Sequence, residues 1–278
     1  MVENDGLKEV EKMITIDQER CIGCGACVAD CFPEAIRIVD GKAAVVGRCI
    51  ECGHCFAVCP AGAVDMGADY PTKDVIEFTD WPPEFDGDVL LAALQSRRSI
   101  RRFKHGKVPQ AMLERVLDAG RFTPTGSNAQ NVRYVVVQDV LEMVKAQVWE
   151  NFQAIIDGYV AKMGKGRLYD TLSRMQARHA ADPADDRLFF NAPALIIVCS
   201  PAPLNGGLAA SSIALMAHVE GLGTLYSGFI QMALSQNPAL CEALGVRPEE
   251  IVACLLIGVP DVTYERTAPR KALNVEWR

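Results

Sequence analysis

Cys21-Ile-Gly-Cys24-Gly-Ala-Cys27-Val-Ala-Asp-Cys31 and Cys49-Ile-Glu-Cys52-Gly-His-Cys55-Phe-Ala-Val-Cys59-Pro60 are two runs of one spacing, C-x2-C-x2-C-x3-C. Three thiolates on so short a loop can wrap one iron–sulfur cubane, with a fourth beyond them. On this reading the fourth cysteine starts a helix and faces away. A disulfide framework would need an oxidising compartment, and the chain opens Met1-Val-Glu-Asn-Asp5, without the basic-then-apolar profile of a secretory leader. Zinc sites favour two C-x2-C pairs on a longer loop, so the third close cysteine argues against zinc. The other three cysteines, Cys199, Cys241 and Cys254, stand singly in apolar surroundings and read as packing.

The two runs are an internal repeat. Residues 21–36 align with 49–64 at an offset of 28, with identities at Cys21, Ile22, Cys24, Gly25, Cys27, Ala29, Cys31 and Ala35. Residues 1–66 resemble the bacterial ferredoxins that carry two 4Fe–4S clusters. The resemblance implies a pseudo-two-fold pair of strand–loop–helix units in which each fourth cysteine ligates the other run's cluster. It therefore assigns Cys21, Cys24, Cys27 and Cys59 to one cluster, and Cys49, Cys52, Cys55 and Cys31 to the other. The second run has the usual Cys59-Pro60, whereas the first reads Cys31-Phe32-Pro33.

Composition agrees with an electron-carrying protein. The chain has 278 residues, is half apolar, and carries a formal charge of −7. Six basic against twelve acidic residues lie in 1–70, so nearly all the excess charge sits on the cysteine-rich part. An acidic chain lacks the basic face that nucleic acid requires. No run of roughly 18 apolar residues marks a membrane span, and with no secretory profile at the opening the expected location is the cytoplasm. About 60 residues bury little surface, and iron–thiolate bonds would supply cohesion.

Residues 67–87, with Pro71, Pro82, Pro83 and Trp81, read as a linker. A flexible chain of that length spans about 25 Å, which gives an effective concentration near millimolar. Residues 88–278 then read as one larger domain of helices and strands. Helices are expected at Asp88–Arg97, Ala111–Ala119, 139–163, 168–180 and 208–220. Strands are expected at Arg133–Gln138, Ala194–Cys199 and Ile251–Ile257. Helix 208–220 is apolar nearly all round, which suits burial or a subunit interface.

Four segments of this domain carry binding chemistry. Arg97, Arg98, Ser99 and Arg101 fall in Ser96-Arg-Arg-Ser-Ile-Arg-Arg-Phe103. In an extended chain Arg97, Ser99 and Arg101 share one face and suit one anion, such as a phosphate. Phe122-Thr-Pro-Thr-Gly-Ser-Asn-Ala-Gln130 is a turn-rich loop ahead of a strand. Gly221-Leu-Gly-Thr-Leu-Tyr-Ser-Gly228 lacks the third glycine of a dinucleotide fingerprint, with Tyr226 in its place. Ala268-Pro-Arg270-Lys271 lies near the carboxyl end.

In this order the segments resemble the nitroreductase family of FMN-dependent α+β enzymes, over about 88–278. The resemblance implies FMN at a homodimer interface. Arg97, Arg98, Ser99 and Arg101 would serve its phosphate, ribityl chain and pyrimidine edge. Pro124, Thr125, Asn128 and Gln130 would reach the partner's flavin. Backbone N–H groups of Ser227, Gly228 and Phe229 would face N5, and Arg270 with Lys271 the phosphate. Thr125 replaces the family's serine, and Asn131-Val132 its Pro-Trp. No side-chain acid or base is implied, and His54, His105, His179 and His218 belong to no motif.

The expectation is an oxidoreductase that passes electrons from a low-potential external donor (ferredoxin or NAD(P)H) through two 4Fe–4S clusters to FMN. The final acceptor would be an electrophilic organic compound of the nitroaromatic or quinone type. Two alternatives remain at this stage: an NAD(P)H-driven flavin reductase whose clusters dock partners, and a non-catalytic electron carrier or redox sensor. Dehalogenase activity is neither selected nor excluded.

Overall fold

The computed structural model describes residues 14–80 and 82–278. The opening Met1–Asp5 and Trp81 lie outside them. The chain divides into two compact units. One comprises residues up to Glu84 together with Thr125–Ala129, and the other Phe85–Pro124 with Gln130–Arg278.

The first unit runs β1 (Thr15–Ile16), α1 (Ala26–Ala29), β2 (Ile36–Val39), β3 (Lys42–Val45), α2 (His54–Val58) and β4 (Val64–Asp65). β1 pairs antiparallel with β4, and β2 with β3. The repeat is visible in the backbone. Gly25 and Gly53, 28 residues apart, precede α1 and α2 with φ of 78° and 75°. That left-handed conformation turns each cysteine loop into its helix without a Cβ penalty. The helices begin before the third cysteine, so Cys59 caps the end of α2 and Cys31 lies just past the Asp30 cap of α1, and neither starts a helix. The displaced Pro33 therefore falls after the helix, and Phe32 projects almost fully into solvent. Ile14, Ile36, Ala43, Ala63, Val64 and Met66 pack with Cys21, Cys27 and Cys55 into a small core.

The second unit opens with α3 (Gly87–Ser96), which Asp86, not Asp88, caps by accepting from the N–H groups of Asp88 and Val89. It continues with α4 (Gln110–Arg121), β5 (Arg133–Val137), α5 (Leu141–Glu150), α6 (Phe152–Met163), α7 (Arg167–Ala181), β6 (Ala194–Cys199) and α8 (Pro203–Val219). β7 (Gly223–Tyr226), α9 (Gly228–Ser235), α10 (Pro238–Ala243) and β8 (Ile251–Gly258) complete it. The strands form one antiparallel sheet in the order β5-β6-β8-β7. Helices and an antiparallel sheet make this an α+β fold.

Both faces of the sheet are covered, so β6 is buried throughout. Its Leu195, Ile197 and Cys199 join the core formed with α5, α6, α7 and α9. Its Ala194, Ile196 and Val198 join the core under α4 and α8. α8 packs on the sheet through Ala209, Ala210, Ile213 and Ala217, all fully buried. It ends in a Schellman motif: Leu222 N–H donates to Ala217 O, Gly221 N–H donates to His218 O, and Gly221 has φ of 77°. The helical stretch expected over 139–163 is broken at Asn151.

Candidate functional site

Two cavities in the first unit are ringed by cysteine. One, of about 340 Å³, is lined by Cys21, Cys24, Cys27 and Cys59 with Ile16, Ala43, Ala63 and Val64. The other, of about 320 Å³, is lined by Cys31, Cys49, Cys52 and Cys55 with Ile14, Ile36 and Met66. Each ring takes three thiols from one run and one from the other. No group of three His, Cys, Asp or Glu among the described residues converges on a single ion position. The four sulfurs of each set ring a pocket instead.

The backbone supports thiolate at these positions. Ala43 N–H donates to Cys21 Sγ at 3.4 Å, Ala35 N–H to Cys31 at 3.3 Å, Glu51 N–H to Cys49 at 3.2 Å and Ala63 N–H to Cys59 at 3.3 Å. The amides of Ala43 and Gly23 hold the Cys21 thiol below its ordinary range. Burial raises Cys27, and raises Cys55 to about 11. Charge-neutralising iron is the natural remedy for buried thiols that must ionise.

In the second unit, Ser96–Phe103 leaves α3 as an extended segment beside β7. Ser99 bridges Thr224 in parallel, and Ile100 N–H donates to Thr224 O at 3.0 Å. Ile100 turns inward and is 5% exposed. Gly223 makes this approach possible, because a Cβ there would strike Ile100 and Pro260. The bridge separates two cavities. Before it, Arg97 and Arg98 line about 580 Å³ with Ser96, His218 and Thr224. After it, Arg101 lines about 770 Å³ with Leu168, Arg187, Phe190, Leu225, Tyr226, Ser227, Gly228, Phe229 and Met232. Arg97 and Arg101 thus line different cavities, and Ser99 lines neither.

The Thr224 hydroxyl is fully buried with no hydrogen-bond partner among the described residues. His218 Nε2 lies 2.7 Å from Ser96 Oγ. Ser96 Oγ also lies 3.2 Å from Ala93 O. Burial first, and then the Arg97 charge, keep His218 below its ordinary pKa. In the larger cavity the Arg101 guanidinium lies 6.0 Å from the Phe190 ring centroid. Ser227 caps α9, its Oγ accepting from Ile230 N–H, while its own N–H donates to Cys254 O. The Ser227 amide is therefore spent, and of the three N–H groups expected to face a ligand those of Gly228 and Phe229 remain.

The structure does not gather every residue the sequence singled out. Asn128 Nδ2 donates to the carbonyls of Ile50 (3.2 Å) and Glu51 (2.8 Å) within the first unit. Ser127, Asn128 and Gln130 have φ between 44° and 53°, a sharply kinked loop. Pro124, Thr125, Asn128 and Gln130 do not line the Arg101 cavity, and neither do Arg270 and Lys271, which are exposed in the irregular carboxyl segment. Asn131 Oδ1 instead accepts from buried Asn205 at 3.0 Å. Phe190 and Arg187 line the cavity without belonging to any motif.

Two cysteine-ringed cavities and an arginine-bearing cleft on an α+β sheet define a redox protein with an iron–sulfur module. Comparison with known families makes this specific. A model of the nitroreductase family matches residues 94–259, and a 4Fe-4S dicluster domain model matches residues 13–60. The chain belongs to the nitroreductase family and carries a 4Fe–4S dicluster domain ahead of it. Among solved structures, it is similar to an FMN-bound nitroreductase from Desulfitobacterium hafniense, at 23% identity over 67% of this chain and 98% of that one, with a TM-score of 0.51. A second is an FMN-dependent nitroreductase from Clostridium difficile, at 18% identity over 69% and 99%, TM-score 0.51. A third is iodotyrosine deiodinase bound to FMN and 3-iodo-L-tyrosine, at 23% over 68% and 98%, TM-score 0.50. No curated protein matches. No helix among the described residues is long and apolar enough to cross a membrane.

Proposed function

We propose that this chain is a cytoplasmic oxidoreductase that accepts electrons from a low-potential donor at its dicluster unit and delivers them to an electrophilic organic acceptor at an FMN site in the second unit. The observation that carries this reading is the coexistence in one chain of two four-cysteine cavities and the Arg101 cavity. The donor would be a ferredoxin or NAD(P)H, and the acceptor a nitroaromatic or quinone. When bound, the clusters supply one-electron storage and FMN supplies hydride or electron transfer.

The residues present fit these groups. Arg97 and Arg98, with the unpartnered Thr224 hydroxyl nearby, offer donors to a phosphate. Arg101 places a fixed positive charge on the larger cavity, suited to the pyrimidine edge of a reduced ring. The Gly228 and Phe229 amides lie in the first turn of α9, where N–H groups lack intrahelical acceptors. Phe190, Tyr226, Phe229 and Met232 supply apolar walls for a planar ring and exclude water.

A homodimer with FMN at its interface belongs to the same proposal. Val89, Leu90, Leu91 and Leu94 of α3 are all more than half exposed, as are Leu204 and Val219 on α8. So much uncovered apolar surface suits a second copy of the chain. Asn128 and Gln130 would then reach the partner's cavity.

Anaerobic analysis of iron, sulfide and FMN tests the reading, with about eight iron atoms per chain expected. Stopped-flow reduction of a Cys24→Ala variant then tests the electron route. Wild-type donor-driven turnover in that variant, with FMN still bound, would refute it.

A further inference from the structure

The motifs do not account for Arg187, although it lines the Arg101 cavity with its side chain half exposed. It lies between α7 and β6. Its Nε–H donates to Asp185 Oδ1 at 2.5 Å, and the same carboxylate accepts from Arg178 Nε at 2.6 Å. One acid thus tethers two arginines and balances the charge of only one. The neighbouring acid, Asp186, is 7% exposed and accepts from the N–H groups of Leu188 (3.2 Å) and Phe189 (2.9 Å), so it is committed to the turn.

That turn is tightly determined. Phe190 and Asn191 follow with φ of 53° and 52°, where residues bearing a Cβ are rarely found. Such strain persists only where surrounding structure enforces it. The result is that Arg187 and Phe190 line one cavity. The Asp185 tether uses one of the five guanidinium N–H donors. The four on the terminal nitrogens have no partner among the described residues. A planar fork of free donors, held from behind by a carboxylate, suits bidentate capture of another carboxylate. The wall beside it is apolar: Leu168, Phe190, Phe229 and Met232.

We propose that Arg187 determines acceptor specificity: the site takes planar, unsaturated acceptors bearing a carboxylate, gripped by the free end of Arg187 while the acceptor ring lies against the flavin that Phe190, Phe229 and Met232 wall in. This rests on the flavin-dependent reading above and names the substrate class it leaves open.

The test uses flavin-loaded enzyme, reduced anaerobically with dithionite, freed of excess reductant and mixed with 4-nitrobenzoate or 4-nitrobenzamide. Reduction of either nitro group to nitroso takes two electrons and two protons and releases water. Flavin reoxidation reports each rate. Wild-type enzyme should favour the benzoate. In Arg187→Gln the benzoate-to-benzamide ratio should fall about tenfold or more, the loss of a charge-assisted pair, and Arg187→Lys should restore most of it. Wild-type enzyme carries a second test that needs no turnover. Benzoate should perturb the oxidised flavin spectrum at lower concentration than benzamide, and high salt should narrow the difference. An unmoved ratio in Arg187→Gln, or equal wild-type affinities for benzoate and benzamide, would overturn the role of Arg187 alone. Enzyme that holds no flavin, or whose reduced flavin neither nitro compound reoxidises, would overturn the proposed function and this inference with it.

Discussion

Gly223→Ala is the substitution from which the geometry of the arginine segment can be read most directly. The added Cβ would meet Ile100 at Cγ1 and Cβ, and Pro260 at Cγ. Ile100 is β-branched and buried, so it cannot swing aside as a long flexible chain would. Overpacking of a closed core costs about 1–3 kcal/mol. A middle value of about 2 kcal/mol corresponds to a fall in Tm of about 4–8 °C for a unit of this size. The same push would loosen the Ser99–Thr224 bridge, and with it the placement of Arg97 and Arg101. Thermal denaturation by circular dichroism and the flavin-to-protein ratio after gel filtration measure the two effects. Gly207→Ala is the control. It lies in α8 with open space around its Cβ, so it should gain up to about 1 kcal/mol. An unchanged Tm and full flavin content in Gly223→Ala would refute the argument that Gly223 exists to admit Ile100.

The same architecture fixes the response to other changes. Cys31→Ser removes a thiol from the cavity of Cys49, Cys52 and Cys55, and Cys59→Ser removes one from the cavity of Cys21, Cys24 and Cys27. Each should cut iron from about eight to about four per chain, with electron paramagnetic resonance of the reduced protein identifying the surviving centre. His218 is held below its ordinary pKa, so the unfolded chain takes up its proton first as the pH falls. Stability should therefore decline below about pH 6.5 and recover as pH rises through that window, a slope that His218→Gln should flatten in Tm-against-pH profiles. Burial raises the thiols of Cys199, Cys241 and Cys254, so native-state alkylation at neutral pH should miss all three while denatured protein reacts fully, as counted by mass spectrometry.

The dicluster half is legible in the sequence because its chemistry is local: three thiols on one short loop need only correct spacing, and the repeat declares itself by identity. The buried strands are equally plain, since β6 and β8 are covered on both faces and read as unbroken apolar runs. What escapes is set by distant neighbours. β7 is four residues with glycine at its start, and only its pairing with β8 makes it a strand. The break at Asn151 hides because apolar residues continue on both sides, with Val148 and Phe152 both buried. Extended alternation groups Arg97, Ser99 and Arg101, but it cannot show that the Thr224 bridge puts Arg97 and Arg101 on different cavities. Arg187 carries no local signal at all, because its importance comes from the cavity it lines and from an acid two residues away.

The exchange of Cys31 and Cys59 between the two rings has a consequence for how this head could be taken apart. Neither half of the duplication can finish its own centre, so a chain severed at the Asp40–Gly41 hairpin would lose both centres rather than keep one. Damage to Cys31 or Cys59 removes one corner of a cage whose other three corners lie in the opposite half, so an injury there in one repeat is felt in its twin.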